Sequence, residues 1–234
     1  MHKTVQKLIG ELIISCQAYE DTPLYGPENM KIMAQSVLLG GAKAIRSCWP
    51  QDIKAIRELG DFPIIGINKK MSKGQASKDC VIITPTLEDA SEVIEAGCDV
   101  LALDCTIRKY RGKDELLSLL KSIKDKYPDI PIMADCCTFE EGVFAAESGY
   151  VDIVSTTLSG MYIQLDEPDV ELIKRLKAAI NIPINAEGHI WDLNDLNDVI
   201  NAGPDMITIG TSITRPHLIT ERFVNFNNTF NKAK

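Results

Sequence analysis

The feature that most constrains this chain is a regular alternation of short apolar runs with longer amphipathic stretches. Eight runs recur, at residues 12–15, 44–46, 63–67, 100–103, 131–134, 151–154, 182–186 and 206–209. They are apolar on both faces of an extended pleat, which fits buried parallel strands rather than half-exposed alternating ones. The stretches between them carry helix signals. Residues 28–39 end at Gly40-Gly41, Thr86 opens a helix closed near Ala96-Gly97, and residues 113–127 stop before Pro128. Thr138-Phe139-Glu140-Glu141 reads as an N-cap start, and Trp49-Pro50 marks a turn into a helix. Helices over 169–180 and 192–202 follow, the second closed by Gly203. Several units end alike, as in Glu95-Ala96-Gly97-Cys98-Asp99 and Asn201-Ala202-Gly203-Pro204: a helix stops at glycine and feeds directly into a strand.

Eight strands alternating with helices over 234 residues match a single-domain (β/α)8 TIM barrel, a fold that fills about 250 residues. A doubly wound open sheet is the alternative, but eight parallel strands with no hydrophobic edge strand favour closure. No linker or low-complexity segment divides the chain, so residues 1–234 are expected to form one domain. Residues 69–79 are the most polar, Gly/Ser/Lys-rich part and are expected to form a mobile loop after the third strand.

Twenty-five Lys+Arg against 33 Asp+Glu give a net charge of −8. That balance argues against nucleic acid or an anionic membrane as partner, while leaving room for a small anion held by local donors. Seven cysteines form no CxxC pair, which fits a reducing cytosol. In the opening MHKTVQKLIGELIISC, Glu11 breaks the apolar run. A first helix turn and first strand are therefore expected rather than a secretion leader, with a cytoplasmic location. No apolar run approaches the 18 or so residues of a membrane span.

In such a barrel the productive face lies at the carboxyl ends of the strands. Those positions read Gln17, Arg46, Lys69, Asp104, Asp135, Thr156-Thr157, Glu187 and Gly210-Thr211, followed by Thr214-Arg215. Singly, each is an ordinary loop residue. Together they are harder to dismiss, because solvent-facing charges have no reason to begin where every strand stops.

The motifs at these positions resemble those of the N-acetylmannosamine-6-phosphate 2-epimerases. They include Ser15-Cys16-Gln17-Ala18, Gly41-Ala42-Lys43-Ala44-Ile45-Arg46 and Ile65-Gly66-Ile67-Asn68-Lys69-Lys70. Further along come Ala102-Leu103-Asp104-Cys105-Thr106, Met133-Ala134-Asp135, Ser155-Thr156-Thr157-Leu158, Asn185-Ala186-Glu187-Gly188 and Ile213-Thr214-Arg215-Pro216. The match is collinear over nearly the whole chain. It implies an epimerase without metal or cofactor that interconverts N-acetylmannosamine 6-phosphate and N-acetylglucosamine 6-phosphate in amino-sugar catabolism. Lys69 would be the base and Glu187 the acid. Gln17, Arg46, Asp135 and Thr157 would contact the sugar, and Gly188, Gly210, Thr211 and Arg215 would hold the phosphate. A lysine base must be tuned down from its usual value of about 10.4, and Arg46 and Lys70 are the expected sources of the positive charge. Asp135 reads equally well as a cap for the helix after it, and Asp104 as a cap beside a hydroxyl. His189 reads as an ordinary loop histidine and Cys16 as a packed small hydrophobe.

Four departures bear on the substrate. Asn68 replaces an apolar residue, the loop over 70–80 is long, Thr211 replaces a glycine, and the segment over 161–168 is short. They leave two alternatives: a retired barrel that binds a phosphorylated sugar, or an isomerase barrel for a different one. A pentulose-phosphate 3-epimerase fits poorly, because the chain has three histidines and none at an early strand end. The resemblance also implies a homodimer made by exchange of the last helix around Arg222 to Phe230. The alternative is that this helix closes the bottom of the barrel.

Overall fold

The computed structural model describes residues 1–70, 80–109 and 111–231. Eight parallel strands close on themselves in sequence order: β1 (Leu12–Cys16), β2 (Ala44–Cys48), β3 (Ile64–Ile67), β4 (Val100–Asp104), β5 (Ile132–Asp135), β6 (Ile153–Ser155), β7 (Ile184–Glu187) and β8 (Met206–Ile209). β8 pairs with β1 to complete the (β/α)8 barrel. Each expected strand is present, with bounds shifted by one or two residues at most of its ends. The loop expected over 69–79 falls, beyond Lys70, outside the described residues.

The pleat sorts the apolar residues into two sets. Ile13, Ala44, Ile65, Ala102, Met133 and Met206 point inward and fill the barrel. Their neighbours Ile14, Ile45, Leu101, Ala134 and Ala186 point outward against the helices. Those helices are α2 (Pro27–Leu39), α3 (Pro50–Arg57), α4 (Leu87–Glu95), α5 (Lys113–Lys126), α6 (Phe139–Glu147), α7 (Val170–Ala179) and α8 (Leu193–Ala202), with a short α9 (Thr211–Thr214) and α10 (Pro216–Asn231) at the end. Local chemistry sets their bounds. Thr138 and Asp192 form capping boxes with Glu141 and Asp195, and Gly203 ends α8 in the left-handed conformation that a side chain disfavours.

The bottom of the barrel is closed by the first helix, α1 (Lys3–Leu8), whose Val5 and Leu8 join the inner cluster. The last helix does not do this. Over residues 220–230, α10 is exposed, with Phe223, Phe226 and Phe230 all more than 60% accessible. No helix of the described residues is long and apolar enough to cross a membrane.

The recurring glycine-to-strand phrase has a structural purpose at three places. Asp99, Asp152 and Asp205, each just before an even-numbered strand, accept a hydrogen bond from the first amide of the strand before it: Ile64, Ile132 and Ile184, at 2.8, 2.9 and 2.8 Å. Each carboxylate also meets a cation from the helix preceding that amide, Arg57, Lys124 or Lys177. An edge amide is thus satisfied and two strands are locked in register.

Gly66, on the outer face of β3, lets α3 and the turn after α4 approach closely: a Cβ there would stand 2.6 Å from Cys98 Cβ and 3.1 Å from Ile53 Cδ1. Gly66→Ala is expected to destabilise the fold by about 1–3 kcal/mol, read as a lower urea midpoint with an unchanged slope. An unchanged midpoint would show that the contact relaxes freely.

Candidate active site

The same alternation decides which strand-end residues reach the mouth. Arg46 lies between the inward Ala44 and Cys48, and Lys69 follows Ile67 by two residues. Asp135 follows Met133, Glu187 follows Asn185, and Thr157 continues the inward series of Ile153 and Ser155. Eight of the ten residues expected from sequence converge on one cavity of about 410 Å³: Gln17, Lys69, Thr157, Glu187, Gly188, Gly210, Thr211 and Arg215. Lys69 and Glu187 enter from β3 and β7, which are diametrically opposed in the closed order.

Arg46 and Asp135 are the two that do not line it. Both lie beneath the wall at 1% and 0% exposure, joined by two hydrogen bonds of 3.0 and 2.6 Å. Arg46 Nη1 also pairs with Glu187 Oε2 at 3.0 Å. Burial opposes the guanidinium charge, but Asp135 and Glu187 outweigh it and hold Arg46 above its ordinary value. Thr157 Oγ1 stands 2.7 Å from Asp135 Oδ1 and 3.2 Å from Glu187 Oε2. The network continues downward: Asn185 Nδ2 donates to Ser155 Oγ, and Thr208 Oγ1 donates to Asn185 Oδ1. Burial pushes the Glu187 carboxyl above the usual carboxylate range against the pull of Arg46, and the nearby Asp135 adds to the push. The direction of that shift is the one a proton donor needs.

On the opposite wall, Lys69 is fixed by its backbone. Trp49 Nε1 donates to its carbonyl at 3.0 Å, and Ile83 pairs with it across an antiparallel bridge. Its Nζ donates to the hydroxyl of Tyr19 at 2.8 Å. Tyr19 packs edge-on to Trp49 at 6.0 Å, with the Arg215 guanidinium 4.9 Å from its ring centre. Burial would raise the Tyr19 phenol, but Lys69 and Arg215 outweigh it and bring it below its ordinary value. Tyr19 was not expected from sequence.

Several sequence readings change here. Arg46 directs its charge at Asp135 and Glu187, and Lys70 turns outward to Asp89 and Glu92 at 3.1 and 3.4 Å. The cation that shares Tyr19 with Lys69 is Arg215. Asp135 caps no helix, since Thr138 and Glu141 do that for α6. Asp104 accepts from Thr106 as a cap would, and it also anchors Arg108 and Arg111, all three being buried. His189 stands in the cavity wall with a positive φ of 59°. Ser159 Oγ donates to Asp169, the N-cap of α7. Asn68 faces outward, where its amide reaches Glu92 Oε2 at 2.7 Å and ties β3 to α4. Cys16 is buried and its thiol is pushed up to about 12 by that burial, so it is no nucleophile. Gln17 donates to Ser15 Oγ at 2.7 Å and leaves Oε1 a buried acceptor without a partner among the described residues.

Residues 30–229 match the family model described as "Putative N-acetylmannosamine-6-phosphate epimerase". The chain belongs to this family. It is an enzyme of the epimerase type. It is 45% identical over 225 residues to a protein of Caldanaerobacter subterraneus subsp. tengcongensis named "Putative N-acetylmannosamine-6-phosphate 2-epimerase", covering 95% of this chain and 93% of that one. A protein of the same name from Clostridioides difficile is 40% identical, with 94% and 97% covered. The solved N-acetylmannosamine-6-phosphate 2-epimerase from Clostridium perfringens superposes with a TM-score of 0.86 at 36% identity, covering 96% of each chain.

Asp135→Asn keeps the shape of the buried network and removes the main counter-charge of Arg46. Breaking a buried pair from one side costs about 3–5 kcal/mol. Equilibrium denaturation should therefore show a loss of that size, and a loss below about 1 kcal/mol would show that Glu187 alone compensates the guanidinium.

Proposed function

We propose that this cavity interconverts N-acetylmannosamine 6-phosphate and N-acetylglucosamine 6-phosphate, with Lys69 as base and Glu187 as acid. The reaction removes a proton from C2, α to the aldehyde of the open-chain sugar, and returns one on the other face. It needs two proton-transfer groups on opposite sides of one carbon. The observation that carries the reading is the approach of Lys69 and Glu187 from opposed strands to a single cavity large enough for a phosphorylated N-acetylhexosamine. The upward push on Glu187 suits an acid.

At one end of the cavity, Gly188, Gly210, Thr211 and Arg215 offer a phosphate its donors. The amides of Thr211 and Ser212, which open α9, have no intrahelical carbonyl to meet, and Arg215 adds a charge-assisted pair. The free Oε1 of Gln17 suits a hydroxyl or the acetamido N–H of the sugar. Arg46 and Asp135 act from beneath the wall by holding Glu187 and Thr157 in place. The names of the relatives support the substrate.

The same reading includes a homodimer. Phe223, Phe226 and Phe230 present an apolar stripe on α10, and Phe223 and Phe226 border an apolar groove of about 550 Å³ beside Trp191 and Ile219. A second copy's α10 would cover both. Sedimentation equilibrium should give about twice the 25.9 kDa chain mass, and a mass of one chain at micromolar concentration would refute the dimer.

The reaction is tested by proton NMR in deuterated water with N-acetylmannosamine 6-phosphate and a chelator present. The gluco epimer should appear with deuterium at C2. Lys69→Ala should abolish the exchange while sugar-phosphate binding persists. Unaltered exchange in the variant would remove Lys69 as base, and binding without exchange in the unaltered protein would favour a retired barrel or another sugar.

A further inference from the structure

Lys69 and Arg215 come from distant parts of the chain, and Tyr19 touches both. Its hydroxyl accepts from Lys69 Nζ at 2.8 Å, and that nitrogen also lies 5.2 Å from the ring centre. The Arg215 guanidinium stands 4.9 Å from the same ring. Trp49 fixes the arrangement twice, edge-on to Tyr19 and through its indole bond to the Lys69 carbonyl. We infer that Tyr19 is a positioning residue that couples phosphate recognition at Arg215 to the placement of the Lys69 amine. This rests on the epimerase reading above and deepens it.

The coupling follows from the charges. With the cavity empty, two cations share one phenol, draw on its electrons and weaken its oxygen as an acceptor, so Nζ is held loosely. A phosphate dianion paired with Arg215 cancels one of them. The phenol oxygen then accepts more strongly, and Nζ is held in the place that Tyr19 sets for it. Binding energy from the remote phosphate is in this way expressed at the reacting carbon. A Tyr19 that merely filled space between Trp49 and Arg215 would give no such dependence.

Tyr19→Phe keeps the ring and removes only the hydroxyl. C2 deuterium exchange is measured on unphosphorylated N-acetylmannosamine, with and without inorganic phosphite, and turnover on N-acetylmannosamine 6-phosphate. Phosphite should accelerate exchange by the unaltered protein about tenfold or more. Tyr19→Phe should bind phosphite equally by calorimetry yet gain less than about twofold, and on the full substrate it should lose about tenfold in kcat with little change in KM. Equal acceleration in both proteins overturns the coupling, as does an effect on KM alone, or phosphite that leaves the unaltered protein no faster. If Tyr19→Phe does not fold, Trp191→Phe leaves Trp49 as the sole indole with Tyr19 intact. Its emission should then change on saturation with phosphite, and constant emission overturns the coupling. Absence of C2 exchange by the unaltered protein on the phosphorylated sugar has a different meaning, because it overturns the epimerase reading itself.

Discussion

A guanidinium at 1% exposure is the constraint around which the site is arranged. Arginine does not lose its proton in a protein, so Arg46 must be compensated where it stands. Asp135 answers with a bidentate contact and Glu187 with a single one. Two carboxylates against one buried cation exceed neutrality, and the economical state carries a proton on one of them. Asp135 holds both arms of the guanidinium and accepts from Thr157, so the proton is favoured on Glu187, which alone of the two reaches the cavity. Asymmetry around one arginine thus sets the two carboxyls apart, one as counter-ion and the other, in the proposed reaction, as acid.

The barrel splits its polar residues by end. At the bottom, Asp99, Asp152 and Asp205 satisfy strand amides and fix register. At the top, the inward side chains converge on the cavity. Both depend on the period of two along each strand: a slip of one residue would turn Arg46 and Glu187 into the helix layer, where no partner is arranged for them. Register at the base is therefore a condition of chemistry at the mouth. This agrees with the general division of such barrels into a stabilising and a reactive face.

Much of this was legible in the chain. The apolar runs located every strand, because buried parallel strands carry their signal on both faces. The caps at Thr138 and Asp192 and the stop at Gly203 located helix ends, because those signals are local. Arg46 was misplaced as a strand end, since a charge interrupts the apolar run although β2 continues through it to Cys48. The partners of Arg46 are 89 and 141 residues away, and no spacing rule reaches that far. Tyr19 escaped notice for a similar reason. A lone tyrosine in a polar loop carries no pattern, and its contacts arise only when the loops after β1, β2 and β3 and the segment after α9 meet. Asn68 looked like a departure near the base, yet it faces away from the cavity and fastens α4.

A chain of net charge −8 that takes an anionic sugar must solve an electrostatic problem locally. Over distances beyond the Debye length of about 8 Å at physiological salt, the overall charge is screened. Inside the cavity it is not the sum that acts but the nearest groups. There Lys69 and Arg215 both stand against one tyrosine ring, while the carboxyls of Asp135 and Glu187 are tied to Arg46. The mouth is thereby cationic in an acidic protein. A dianion that enters meets two positive groups already held apart by a shared acceptor, so it gains attraction without first having to collect them.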